Sequence, residues 1–200
     1  NLTMKRSTII LLSVLGGFVL ILLWGVGAYN RLVGLSESTE SQWANVQSAY
    51  QRRADLIPNL VSTVKGYADF EKSTLTDVIE ARSKATSVQI SADNLTPDKI
   101  AEFQKAQGEL KGALSRLLVS VERHPDLKAN QNFLALQSQL EGTENRINVE
   151  RDRFNEQVRT YNSSVKRIPT SLVAAVGGFE ARGYFEAEAE AQDAPEVSFE

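Results

Sequence analysis

Two regimes of hydrophobic patterning divide the chain. From Ser7 to Ala28, in "STIILLSVLGGFVLILLWGVGA", apolar residues follow one another with no charged position. A helix of about 20 such residues, rising 1.5 Å each, spans a bilayer core of roughly 30 Å. Trp24 and Tyr29 stand at one end, where amphipathic rings favour the membrane–water boundary. The run is longer than the apolar part of a cleaved leader, and "VGA" at 26–28 is the nearest approach to a cleavage site. A single-pass, uncleaved transmembrane helix over 7–28 is therefore expected, after a short N-terminal segment, 1–6. Within it, Ser13 and Gly17 are four apart, a spacing that permits close approach of two helices.

Beyond the span, apolar and aromatic residues return at intervals of three and four. Tyr29, Trp43, Tyr50, Ile57 and Val64 form one seven-residue series, which Val78 and Ala85 continue; Thr39, Val46, Leu60 and Tyr67 form its companion. This pattern predicts one helix over about 30–85. Thr96 as N-cap and Pro97 in the first position open a second helix, with Ile100, Phe103, Leu110, Leu114, Leu117 and Val121 on one face. "HPD" at 124–126 ends it, because the residue before proline is pushed out of helical conformation. A third helix follows over about 127–167, with Phe133, Leu140, Ile147, Phe154, Tyr161 and Ile168 in an unbroken series that Pro169 stops. Each helix carries a stripe that it must bury against another, and short connections favour antiparallel neighbours. The fold class is all-α: a transmembrane helix, a long antiparallel helical bundle over 29–169, then a C-terminal short helix and extended acidic tail over 170–200. The first helix, roughly 80 Å if straight, must fold back or run on as a stalk.

"RRADLIPNLV", residues 52–61, breaks the pattern of that first helix. Pro58 removes a backbone donor and crowds the carbonyl of Ala54, so a kink is expected there. Asp55 is placed to cap a restarted helix. Arg53 occupies a companion-series position among apolar neighbours. In the third helix Glu144 and Arg151 fall near equivalent positions, with Glu150 beside them. An arginine buried alone costs several kcal/mol, so a partner is required. A buried polar layer in which Arg53 pairs with Glu144 or Glu150 is one reading; a solvated charged face is the other.

Composition adds exclusions. Without cysteine there is no disulfide, thiol chemistry or Cys-type zinc site. His124 is the single histidine, so a multi-histidine metal site is excluded, and its place at a helix end suits a loop role. No glycine-rich phosphate loop follows a strand, and no serine sits in a nucleophile elbow. The carboxylates lie among lysines and arginines at helical spacing, as surface ion pairs do. No catalytic residue, metal or cofactor is therefore assigned, and the reading is of a non-enzyme. From Gly183 to Glu200 there are six acidic residues and no basic one, leaving +3 on the rest of a chain whose total is −3. That balance gives no nucleic-acid footprint. Lys5 and Arg6 before the span, against Arg31 alone soon after it, favour a soluble part outside the cytoplasm. The tail interleaves acids with alanine, between Tyr184 and Phe185 at one end and Val197 and Phe199 at the other. It is either a solvating tail or an extended peptide anchored by those four residues on a neighbouring subunit or partner.

"YNRLV" after the span, "RRADLIPNLVSTVKGYADFE", "VIEAR", the long stretch from "LSRLLVSVERHPDLKANQ" to "RTYN", and "YFEAEAEAQDAPEVSF" together resemble the LemA family over nearly the whole chain from about residue 29. His124 stands where a tyrosine is common in that family. The resemblance implies a bacterial single-pass protein of the cytoplasmic membrane with a four-helix-bundle soluble domain, and it implies no reaction. It also implies a short extracytoplasmic N-terminus, opposite to the charge bias. Arg52, Arg53, Asp55, Pro58 and Asn59, within the family's signature stretch, become candidates for a structural or interface site. The expected function is a membrane-anchored scaffold, homo-oligomeric and binding other envelope proteins, with the lipid bilayer as its first partner. The alternative is a regulatory or signalling accessory that responds to membrane state through a hinge at Pro58.

Overall fold

The computed structural model of the 200-residue chain describes residues 6–67 and 71–186. Its first helix, α1 (Arg6–Lys65), runs without interruption from the apolar stretch into the soluble part. Sixty residues at 1.5 Å each give a helix about 90 Å long along its axis. No position in its most apolar window is buried, which distinguishes it from the core helix of a globular unit. Large aliphatic side chains from Ile9 to Val26 stand exposed around the rod, over a length sufficient to cross a membrane.

The expectation of one helix over 30–85 is corrected. Helix α1 ends at Lys65, Gly66 and Tyr67 begin the reversal, and α2 (Lys72–Ser87) runs back along it. The seven-residue series concealed the break because Val78 and Ala85 fall in phase and enter the same core as Ile57 and Val64. Glu71, the in-phase position between Val64 and Val78, is exposed, and with Gly66 it was the local signal of a turn.

Helix α3 (Pro97–Val121) starts with Pro97 behind an extended Thr96, whose hydroxyl makes no capping bond. The segment expected as one helix over 127–167 divides into a single turn, α4 (Pro125–Lys128), and α5 (Gln131–Lys166). Asn130 separates them by capping α5: its side-chain oxygen accepts the Phe133 amide at 3.0 Å. Helix α6 (Thr170–Gly177) closes on Gly178 at φ +73°, a left-handed conformation that glycine adopts without steric cost. Residues 179–186 then continue without helix or strand as a strap across the bundle.

The soluble part of α1 with α2, α3 and α5 makes an antiparallel four-helix bundle. Gln42 meets Glu150, and further along Arg53 meets Glu144, so α1 and α5 run in opposite directions. Two apolar clusters fill it. The one distal to the span holds Ile57, Leu60, Val64, Leu110, Leu117 and Phe133. The proximal one holds Val46, Tyr50, Ile100, Phe103 and Phe154 around Trp43, which is fully buried. The α2–α3 loop folds over the latter, bringing Ile90 and Leu95 into the core and the Ile90 carbonyl to Trp43 Nε1 at 3.2 Å.

Candidate functional site

A polar layer lies between the two apolar clusters. Arg53 is only 3% exposed because Tyr50 and Ile57, one turn to either side on α1, direct its stem into the bundle. Its Nη1 donates to Glu144 Oε2 of α5 at 3.0 Å. Its Nη2 donates to Gln107 Oε1 of α3 at 2.7 Å and to the Gln107 carbonyl at 3.1 Å. Gln107 in turn donates to the Ala85 carbonyl of α2, so all four helices meet here. Lys111 Nζ lies 3.5 Å from Glu144 Oε1, and the Arg53 guanidinium stands 5.1 Å from the centroid of the Tyr50 ring. The Nε of Arg53 is buried without a hydrogen-bond partner.

Glu150 is not the partner of Arg53. Its carboxylate accepts from Gln42 at 2.8 Å and pairs with Arg146 and Arg153 of its own helix. The Gln42 amide, opposed by burial and aided by the charges of Arg153 and Arg146, holds this carboxyl below its ordinary pKa. Arg151 lies at the bundle surface, beside rather than within the buried layer: it donates to the Glu186 carbonyl at 2.9 Å and rests over the Phe185 ring.

The rest of the 52–61 stretch is explained by α1 continuing through it. The helix does not restart, so Asp55 caps nothing; it is exposed and accepts from Gln51 one turn earlier. Pro58 is internal and exposed, and the carbonyl it leaves without a helical donor, that of Ala54, accepts Nε–H of Arg82 from α2 at 2.8 Å. The proline thus frees an acceptor that joins α1 to α2. Arg52 and Asn59 are exposed, and the Asn59 carbonyl accepts from Thr63. Ser13 and Gly17 are exposed on the span, with open space where a Gly17 Cβ would stand.

Sequence reasoning named Phe185 as an anchor of the strap but missed Arg182, Asn155 and Asn162. Arg182, nine-tenths buried, donates to the Ser36 carbonyl, to Ser36 Oγ at 2.8 Å and to Glu40 Oε1 at 2.6 Å, and lies over the Tyr161 ring. Asn162 holds both the amide and the carbonyl of Arg182, and Asn155 does the same for Phe185. Burial raises the pKa of Tyr161 above its ordinary value, against the lowering effect of the Arg182 charge. Gly183 passes so close to α3 that a Cβ would sit 2.7 Å from Pro97 Cα. Phe185 enters the core of its own bundle, stacked on Trp43 at 6.0 Å between centroids. Of the two readings, a solvating tail or a peptide anchored on a neighbouring subunit or partner, this half follows neither, since Phe185 is buried in its own bundle, while Tyr184 stays 41% exposed. Val197 and Phe199 lie outside the described residues. The available signal was a lone arginine beside a glycine at the start of an acidic run.

Between α3, α5 and the strap an open cleft of about 920 Å³ remains, with Arg53 and Gln107 in its lining. Gly108 and Gly112 face it from α3, flanked by Lys105 and Lys111. Among the described residues no group of three or more histidine or carboxylate side chains converges as a metal site requires. The arrangement offers apolar and cationic contact surface.

The profile of the LemA family matches residues 42–199. Magnetosome protein MamQ 2 of Paramagnetospirillum magneticum is 26% identical over 189 residues, covering 85% of this chain and 68% of its own length. MamQ of Magnetospirillum gryphiswaldense has the same identity and coverage. Protein LemA of Metamycoplasma hominis is 26% identical over 149 residues, covering 74% of this chain and 64% of its own. None of these names states a reaction.

Proposed function

The chain belongs to the LemA family, and from that premise we propose that it is a membrane-anchored, non-catalytic scaffold that self-associates and binds other envelope proteins. The observation that carries this reading is α1. One unbroken helix is both the candidate membrane anchor and the wall of the bundle against which α5 packs. A continuous helix of this kind carries the bundle directly on its anchor. The α3–α5 cleft, with two glycines and two lysines on one helix face, supplies the surface for a partner. Close approach of two copies is supported by Ser13 and Gly17 on the span. The soluble part stands on the extracytoplasmic side of the bacterial cytoplasmic membrane, a placement supported by Arg6 and Lys5 ahead of the span.

Two measurements test the proposal. Sedimentation of the detergent-solubilised protein at several concentrations gives its mass; a monomer throughout removes self-association. Ser198→Cys introduces the single thiol of the chain. Its reaction with a membrane-impermeant maleimide in unlysed spheroplasts is the expected result. Protection there, with labelling after lysis, places the bundle in the cytoplasm.

A further inference from the structure

The membrane-proximal tip of the bundle carries features that scaffolding leaves unused. Helix α5 ends at Lys166, the chain turns through Ile168 and Pro169, and α6 follows α1 from Thr170 onward. The height of this turn is set by its neighbours. Thr170 and Arg167 share a notch with Trp24, Gly27 and Ala28 of α1, and Phe179 meets the Tyr29 ring edge-on at 5.4 Å. The turn is thus level with the end of the transmembrane stretch.

Three apolar side chains, four residues apart, project from this tip. Ile168, Leu172 and Val176 are 81%, 68% and 92% exposed. Ile168 continues the stripe of α5 and was expected in the core; the core ends about two turns earlier, at Tyr161 and Asn162, and Ile168 has left it. Arg31, Lys166 and Arg167 are exposed at the same end. Arg31 and Arg167 line the notch, of about 310 Å³, together with Trp24, Ser163, Ser164 and Thr170, and no carboxylate is among its lining residues.

Two arginines and three hydroxyl-bearing residues lining one cavity supply the donor types suited to a phosphate oxyanion, which arginine can bind through two parallel hydrogen bonds. A free phosphate has no use for the apolar edge beside it. A phospholipid uses both, with its phosphate in the notch and its acyl region against Ile168 and Leu172, while Trp24 takes the interfacial position such rings prefer. We infer that the tip formed by the end of α5, the start of α6 and the exit of α1 is a binding site for an anionic phospholipid of the adjoining leaflet. The bundle therefore touches the membrane at a second place besides its span, and this contact sets its tilt.

The test uses the full chain in lipid nanodiscs, and the absence of native cysteine makes single labels available. Ile168→Cys, and Ile79→Cys on the exposed face of α2 as the control, are labelled with an environment-sensitive fluorophore. Blue-shifted emission quenched by spin-labelled lipid is expected at 168 and not at 79; water-like emission at both sites overturns the inference. Native mass spectrometry of protein released from discs of equal phosphatidylglycerol and phosphatidylcholine then reads the headgroup. Enrichment of the anionic lipid by about tenfold or more is expected, the scale of two arginines near a charged surface. Arg31→Gln with Arg167→Gln should abolish it. These two side chains lie outside the core, and an unchanged circular dichroism spectrum confirms the fold. Lack of enrichment, or enrichment that survives the double variant, overturns the assignment. Inorganic phosphate binding as tightly in lipid-free micelles overturns lipid as the ligand.

Discussion

Replacing Arg53 with alanine tests the polar layer at its centre. Three losses follow from the geometry. Glu144 loses its donor at 3.0 Å but is a quarter exposed and keeps Lys111 nearby, so its cost stays below the roughly 3–5 kcal/mol of a fully buried broken pair. Gln107, which is buried, loses its charged donor, and a buried acceptor left unsatisfied costs about 1–3 kcal/mol. The contact with the Tyr50 ring adds about 0.5–1 kcal/mol. These terms share one side chain and do not simply add; a net loss of about 3 kcal/mol is expected. Urea unfolding of the full chain in micelles, followed by helical circular dichroism, reads it as a shift in midpoint at constant slope. Arg52→Ala is the control one residue away, exposed and expected within about 0.5 kcal/mol of the parent. Replacing the whole layer, with Arg53→Met, Gln107→Leu and Glu144→Leu, should recover most of the loss, because a buried polar layer is weak in net stability though costly to break. If Arg53→Ala costs less than about 1 kcal/mol, no more than a surface change, the layer does not hold the helices as described.

Four further expectations follow. Arg82 and Pro58 should be coupled: in the Pro58→Ala background the Ala54 carbonyl regains a helical donor, so Arg82→Ala should cost about 0.5–1 kcal/mol less there than in the parent, and strict additivity in the double-mutant cycle rules the linkage out. Gly183→Ala should weaken the strap by about 1–3 kcal/mol, since the new methyl meets the Pro97 backbone; faster hydrogen exchange at residues 183 and 185, with the bundle amides unchanged, is the readout. Glu150 has a lowered folded pKa, so its contribution is present above the unfolded carboxylate value of about 4.3 and is lost as pH falls through the folded value; Glu150→Gln should flatten the acid limb of a stability–pH curve. Tyr161 has a raised folded pKa, so stability holds below about 10 and is lost as pH rises through the folded value; Tyr161→Phe should remove that alkaline loss.

How much of this was legible beforehand depended on the range of the interaction. The span, the stripes of α3 and α5 and the proline at the start of α3 are local facts, because helix formation and burial follow spacings of three and four residues. The misreading over 30–85 came from the same source. A seven-residue series records which face is buried, not which way the chain runs, so Val78 and Ala85 kept phase through a reversal. For Arg53 the sequence left open a solvated face or a buried pair, and within the pair did not decide between Glu144 and Glu150, which are only six residues apart. The fold decided it: Gln42, eleven residues earlier on the antiparallel α1, takes Glu150, and Arg53 is left opposite Glu144 and Gln107. Pro58 was legible as a break in hydrogen bonding, but the donor that answers it comes from Arg82, on a helix whose separate existence the pattern had hidden.

By itself the sequence determined the helical class, the apolar stretch at 7–28 and most of the stripes that enter the core, since these depend on composition and period alone. Only the tertiary structure decided where the strap lies, which carboxylate Arg53 meets, and that Ile168, patterned as core, stands exposed. Those outcomes rest on groups far apart in the chain, whose hydrogen bonds and contacts exist only after the helices have packed.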